Sequence, residues 1–304
     1  MHKLSHRAGL LHRGIGYRVP RIPYYFTSAS AGSGTTQVPG IGDDGYTQGA
    51  APNTWSAESK TVTPSDFGLG WTRTAATADT GMLKSWAWAQ ASSTAPSFPS
   101  GGGGSGSANA RYQDSFVVHS GQYADGTVAT LTARILIDGT MPVTTQGGFW
   151  SSTQSWSWNF GLAGLDWSEG TSIFGDATNG FRTVGNGFGY RTYTANIVLG
   201  QDVSTTMNIA TGISVNAGGY GGSFVEAASD LGHTVTWRGI SSLSVNGVDV
   251  TDFSAVSATS GFDFRRGIVE TAGGVPEPQS WMLLIAGFGL VGAAMRRRQW
   301  QLAT

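Results

Sequence analysis

The chain has 304 residues, of which 46 are glycine, 11 are tryptophan and none is cysteine, and only 12% are charged. The missing cysteine rules out disulfides, thiolate metal sites and a Cys nucleophile, while abundant glycine and scarce charge suit short strands and turns better than helices. The net charge of -1 hides a segregation: five basic residues precede position 22 and three close the tail, so the stretch between sets ten basic residues against all 19 acidic ones, about -9, a poor partner for nucleic acid.

Residues 1–31 read as a basic leader. The longest apolar stretch there is Ala8-Gly9-Leu10-Leu11, too short for a secretory h-region, yet Ala29-Ser30-Ala31 has the small residues of a cleavage site. The expectation is a leader read from a different start. Residues 32–110 form a Gly/Ser-rich N-terminal β region in which 32–54 and 91–108, with Pro96, Pro99 and the run Gly101 to Gly104, read as flexible loops. Gly40 to Gly45, with Asp43 and Asp44, is similar to a calcium-binding glycine-aspartate turn, but a solenoid needs stacked copies and it reads as an ordinary turn. Between the loops, Trp86 and Trp88 alternate with Ser85, Ala87 and Ala89 at the period of a half-buried strand.

The pattern strengthens over residues 111–272, the expected sandwich core. Ala129, Leu131, Ala133, Ile135 and Ile137 share a parity, and Asp138-Gly139 offers a turn. Trp150, Trp156, Trp158 and Phe160 share another, followed by Tyr193, Ala195, Ile197 and Leu199, then Val203, Met207, Ile209, Ile213 and Val215. An Asn246-Gly247 turn sets Val245 against Val248 and Leu243 against Val250. The expected fold is all-β, an antiparallel β-sandwich or jelly-roll-like ectodomain.

Catalytic signals are thin. His119 and His233 have no second imidazole or carboxylate at metal-ligand spacing, so no metal, cofactor or enzyme chemistry is expected. Gly185-Asn186-Gly187-Phe188-Gly189 lacks the third glycine of a dinucleotide fingerprint and reads as a loop. Asp166 and Glu169 beside Trp167 supply the two carboxylates a glycosidase would need. The rows Trp86/Trp88 and Trp156/Trp158 admit two readings, core or sugar-stacking platform, and shared parity with each strand's apolar face favours core.

Residues 273–304 are a tripartite tail. Val275-Pro276-Glu277-Pro278 is stiff and extended, because each proline fixes its own φ and disfavours helix before it. Residues 281–295, from Trp281 to Met295, are uncharged and apolar. As a helix they would be about 22 Å long, reaching across lipid with the help of Trp281 and snorkelling arginines. Arg296, Arg297 and Arg298 end the span, and positive charge stays on the cytoplasmic side, so the expectation is one C-terminal transmembrane helix with the body outside.

This order of parts closely resembles the PEP-CTERM sorting signal of Gram-negative bacteria, in the variant with Trp three residues after the second proline, here Pro276-Glu277-Pro278-Gln279-Ser280-Trp281. The resemblance implies a substrate of exosortase, a membrane transpeptidase with a Cys nucleophile that cleaves near Pro-Glu-Pro. It also implies a surface or matrix protein accompanying exopolysaccharide and biofilm. The alternatives for the body are a carbohydrate-binding module or a glycoside hydrolase.

Overall fold

The computed structural model describes residues 22–35, 41–62, 68–94, 101–218 and 222–268. In chain order the strands are β1 (Tyr24–Thr35), β2 (Ile41–Gly49), β3 (Asn53–Val62), β4 (Gly68–Asp79), β5 (Met82–Ser93) and β6 (Gly101–Ser120). There follow β7 (Val128–Thr140), β8 (Val143–Gln146), β9 (Trp150–Leu162), β10 (Leu165–Asp176) and β11 (Gly180–Gly185). The last are β12 (Gly189–Val198), β13 (Asp202–Gly218), β14 (Ser223–Val245), β15 (Val248–Asp249) and β16 (Phe253–Val256).

All pairings between these strands are antiparallel. One sheet runs β11-β10-β9-β13-β6-β1-β2, with β16 continuing along β6; the other runs β12-β7-β14-β5-β4-β3, with β8 and β15 on β14. The period-two runs explain the packing, since a strand that alternates apolar and polar residues has one face to bury. Leu131, Ile135 and Ile137 of β7, Trp158 and Phe160 of β9 and Met207 and Ile209 of β13 join a single core drawn from both sheets. Its centre is aromatic: Phe116 stacks on Phe264 at 4.4 Å between centroids, and Phe160 lies 4.6 Å from Tyr193 of the opposite sheet.

Where β4 faces the start of β6 the sheets meet through almost no side chain. A Cβ on Gly68 would sit 2.8 Å from the Gly101 carbonyl, and one on Gly70 or Gly102 would strike the carbonyls of Gly103 and Leu69. Hydroxyls tie this close approach together. Thr72 and Thr74 donate to the carbonyls of Gly32 and Ser30 at 3.0 and 3.1 Å, and Ser85 donates to Ala108 at 2.9 Å. Large core side chains hold stacked sheets about 10 Å apart, and glycine, alanine and serine let the backbones come nearer.

This packing corrects several expectations. The run Gly101 to Gly104 is the start of β6 and not a loop, because glycine is what the close sheet contact requires. Residues 41–49, also expected as loop, form β2 paired with β1, so Ile41 to Gly45 is strand rather than turn. The division at 110/111 falls inside β6, which pairs with β1 on one side and β13 on the other. Ala29-Ser30-Ala31 lies in the middle of β1 with both alanines buried, and cleavage there would sever a strand that is paired on both sides. Asp138-Gly139 is within β7. The Asn246-Gly247 turn forms as expected, both residues at positive φ (51° and 80°), joining Val245 to Val248, although Val248 faces solvent. Among the described residues no helix is long and apolar enough to cross a membrane; the expected span, 281–295, lies outside them.

Candidate functional site

Trp156 and Trp158 are 2% and 0% exposed and point between the sheets. Trp156 stacks on Phe188, and the Trp158 indole N–H donates to the Tyr193 hydroxyl at 2.8 Å. With both rings enclosed, the sugar-stacking reading of this pair is overturned: their parity is that of the core face.

The carboxylates expected to flank a sugar do not face each other. Asp166 pairs in register with Gly161 and Glu169 with Trp158, so they sit on opposite faces of β10. Glu169 turns inward, where Arg191 Nε donates to both carboxylate oxygens at 2.7 Å, Asn186 Nδ2 donates at 3.2 Å and the Tyr193 hydroxyl at 3.2 Å. Burial first, and then the Glu169 charge, push the Tyr193 phenol up from its ordinary range. Trp167 lies against Phe160 and Tyr193 as part of the same packing. The cluster joins β10 of one sheet to β12, an edge strand of the other.

A groove of about 700 Å³ crosses the outer face of the first sheet, lined by Ser155, Ser157, Ser168 and Ser172. The register lays Ser30, Ser107, Gly212, Ser155 and Ser172 in one row across five strands. Hydroxyls line this groove, and no imidazole borders them among the described residues. His119 instead pairs at 3.1 Å with Asp125 on the surface. The backbone of His233 belongs to β14. Among the described residues no group of three His, Asp or Glu side chains could hold a metal ion. Asn186 to Phe188 connect β11 to β12, the loop expected there.

The Trp86/Trp88 row behaves oppositely to its core reading. β5 turns Leu83, Ala87, Ala89 and Ala91 inward and leaves both indoles half-buried on the outer face of the second sheet. Trp88 meets Trp71 of β4 edge to face at 5.0 Å and donates through Nε1 to Glu226 at 3.2 Å. Trp71 donates to Glu58 at 2.8 Å, Arg73 donates to the same oxygen at 3.0 Å, and the Arg73 guanidinium lies 4.4 Å from the centre of the Trp71 ring. Alternation reveals that a strand has two faces; which face is buried depends on what the neighbouring strands bring. Nothing in the sequence pattern marks Trp71, Glu58 and Arg73, since only the register sets them beside Trp88.

Two further arrangements fix the end of the body. Asp114, 1% exposed, accepts hydrogen bonds from Tyr112, Ser257, Thr259, Ser260 and the Ser115 amide. A carboxylate at the inward parity of Tyr112, Phe116 and Val118 was the available signal for it. The chain then closes on Trp237: its indole donates to the Phe264 carbonyl at 2.8 Å, its carbonyl accepts from the Ile268 amide at 2.9 Å, and Arg238 donates to the Ile268 carbonyl at 2.8 Å.

The expected sorting residues Val275, Pro276, Glu277, Pro278 and Trp281, and the stop at Arg296, Arg297 and Arg298, lie outside the described residues. They begin seven positions after Ile268. A family model described as the PEP-CTERM protein-sorting motif matches residues 274–298. No curated protein and no solved structure matches the chain.

Proposed function

We propose that this chain, which carries a PEP-CTERM protein-sorting motif at its C-terminus, is exported, held at the inner membrane by its tail and processed there by an exosortase. The observation that carries the reading is the match over residues 274–298, which takes in the Pro-Glu-Pro segment, the apolar run and the arginines together. Each part has a physical task. The proline pair keeps the backbone extended, the shape in which a chain lies along a protease cleft. The apolar residues 281–295 partition into lipid, and the arginines keep their end on the cytoplasmic side. Cleavage near Pro276-Glu277-Pro278 then releases the body from its anchor to the cell surface or extracellular matrix.

In this reading the body is a non-enzymatic component associated with exopolysaccharide in a biofilm. Support comes from Asp166 and Glu169 facing opposite ways and from the engagement of Glu169 by Arg191. The test is the intact mass of the protein from cells with and without the processing enzyme. A C-terminus shortened to the Pro-Glu-Pro region only when the enzyme is present is expected, and the same C-terminus in both cells would remove the proposal.

A further inference from the structure

We infer that the outer face of the second sheet around Trp86 and Trp88 binds a neutral polysaccharide chain of equatorially linked hexopyranoses, with the indoles as its stacking surface. The inference deepens the exopolysaccharide association proposed above and rests on it only for where such a chain would be met.

β5 inverts the usual economy of a strand. Indoles carry more apolar area than any other side chain, yet here alanines fill the core and the indoles face out. Each has a small neighbour on one side and a polar one on the other: Trp86 lies between Ala75 and Asp230, and Trp88 between Ala228 and Arg73. The two rings are set two residues apart on one strand, about 6.6 Å, on the scale of a single sugar unit. Trp88 is held in place by its edge contact with Trp71 and its bond to Glu226, so little side-chain freedom remains to be lost on binding.

Pyranoses whose substituents are equatorial present a flat face of axial C–H bonds, which an indole face covers, and a rim of hydroxyls, which need donors and acceptors at the edge of the platform. The register supplies that rim. Asp230 lies opposite Trp86, Gln90 lies opposite Glu226, and Lys84 stands two residues before Trp86. Charge selects the ligand class. On this face Glu58, Glu226 and Asp230 are matched by Arg73, Lys84 and the register position of Lys60 beside Trp71, so the platform is close to neutral. The chain between its basic ends carries about -9, so a uronate-rich polymer is repelled and a neutral one is not.

The test uses the full chain in a detergent without a sugar headgroup, titrated with cellohexaose, chitohexaose and polygalacturonate. Calorimetry measures affinity, and indole N–H resonances report which tryptophans respond. Binding to a neutral hexamer is expected, weakened about tenfold or more in Trp86→Ala and in Trp88→Ala and unchanged in Phe181→Ala, an exposed aromatic of the other sheet. Should Trp88→Ala not fold, the wild-type spectrum decides: the Trp86 and Trp88 signals move while those of buried Trp158 and Trp237 do not. No binding to either hexamer, binding indifferent to both substitutions, or preference for polygalacturonate would overturn the inference. So would self-association abolished by the same variants, which would make a second copy the occupant. None of these outcomes bears on C-terminal processing, which is read separately by mass.

Discussion

The Tyr112 hydroxyl donates to Asp114 Oδ2 at 2.7 Å inside the core, and the same carboxylate gathers Ser257, Thr259 and Ser260 from the turn after β16. A buried charge is tolerated when its lone pairs are filled, and here donors from β6 and from the C-terminal turn fill them. Asp114→Ala leaves those donors facing each other across a void. It is expected to cost about 3 kcal/mol, with Asp114→Asn costing less, as measured by urea unfolding.

Alkaline pH weakens the fold through its buried phenols, Tyr112 of this cluster among them. Burial raises the phenol pKa of Tyr112, Tyr193 and Tyr25, and nearby carboxylates add to it. Below about pH 10 these phenols are neutral both folded and unfolded. Above it the unfolded chain loses protons that the folded chain keeps, so stability falls by about 1.4 kcal/mol per pH unit for each such tyrosine. Unfolding curves between pH 9 and 11 should show the decline, and Tyr112→Phe should make it shallower by one such share. An unchanged slope would place Tyr112 in water.

The close sheet contact makes a sharp comparison of glycines. Gly70→Ala puts a methyl against the carbonyls of Gly103 and Gly34 and is expected to cost about 2 to 3 kcal/mol, whereas Gly49, with open space around it, should accept alanine within about 0.5 kcal/mol. Thermal unfolding of the two variants separates them. Equal effects would mean that the sheets can part to admit a side chain.

Trp237→Phe keeps most of the ring but deletes the indole bond to Phe264. It should cost about 1 to 2 kcal/mol and loosen residues 253–268. Arg265 donates to the carbonyls of Phe253 and Thr251, so trypsin should cut at Arg265 or Arg266 faster in the variant than in the wild type. Identical digestion would detach this bond from the ordering of the segment.

Glu169→Gln tests the edge cluster. It removes the charge that Arg191 meets with its Nε at 2.7 Å from both oxygens, largely out of solvent, and should cost about 2 kcal/mol in chemical denaturation. No loss would show the pair to be a surface ornament.

How much of this was legible depended on what each residue pattern determines. Leu131 to Ile137 and Trp156 to Phe160 were readable because the opposite parity there is polar, Thr130, Thr132 and Arg134 or Ser155, Ser157 and Asn159, which leaves one face fit for the core. The run Gly101 to Gly104 was not, since linker glycines and glycines at a tight sheet contact have the same composition and differ only in what opposes them, here Gly68, Leu69 and Gly70. Trp86 and Trp88 failed for a related reason: their neighbours Ala87 and Ala89 take the inner face because the facing strands leave no volume for more. Ala29 and Ala31 match a cleavage site in type alone, and only pairing with β2 and β6 shows them to be core. The sorting tail was legible without any fold, because its order of parts is a property of the chain itself.

The bonds at Trp237 also have a mechanical sense. Tension arriving along the chain at Val269 meets first the Ile268 amide on the Trp237 carbonyl, and the Trp237 amide is in turn held by the Gly81 carbonyl in the turn between β4 and β5. The load is thereby shared among three strands of one sheet. Peeling from the anchored end has to break this knot before it reaches β16, so a tethered body keeps its shape while it is being pulled.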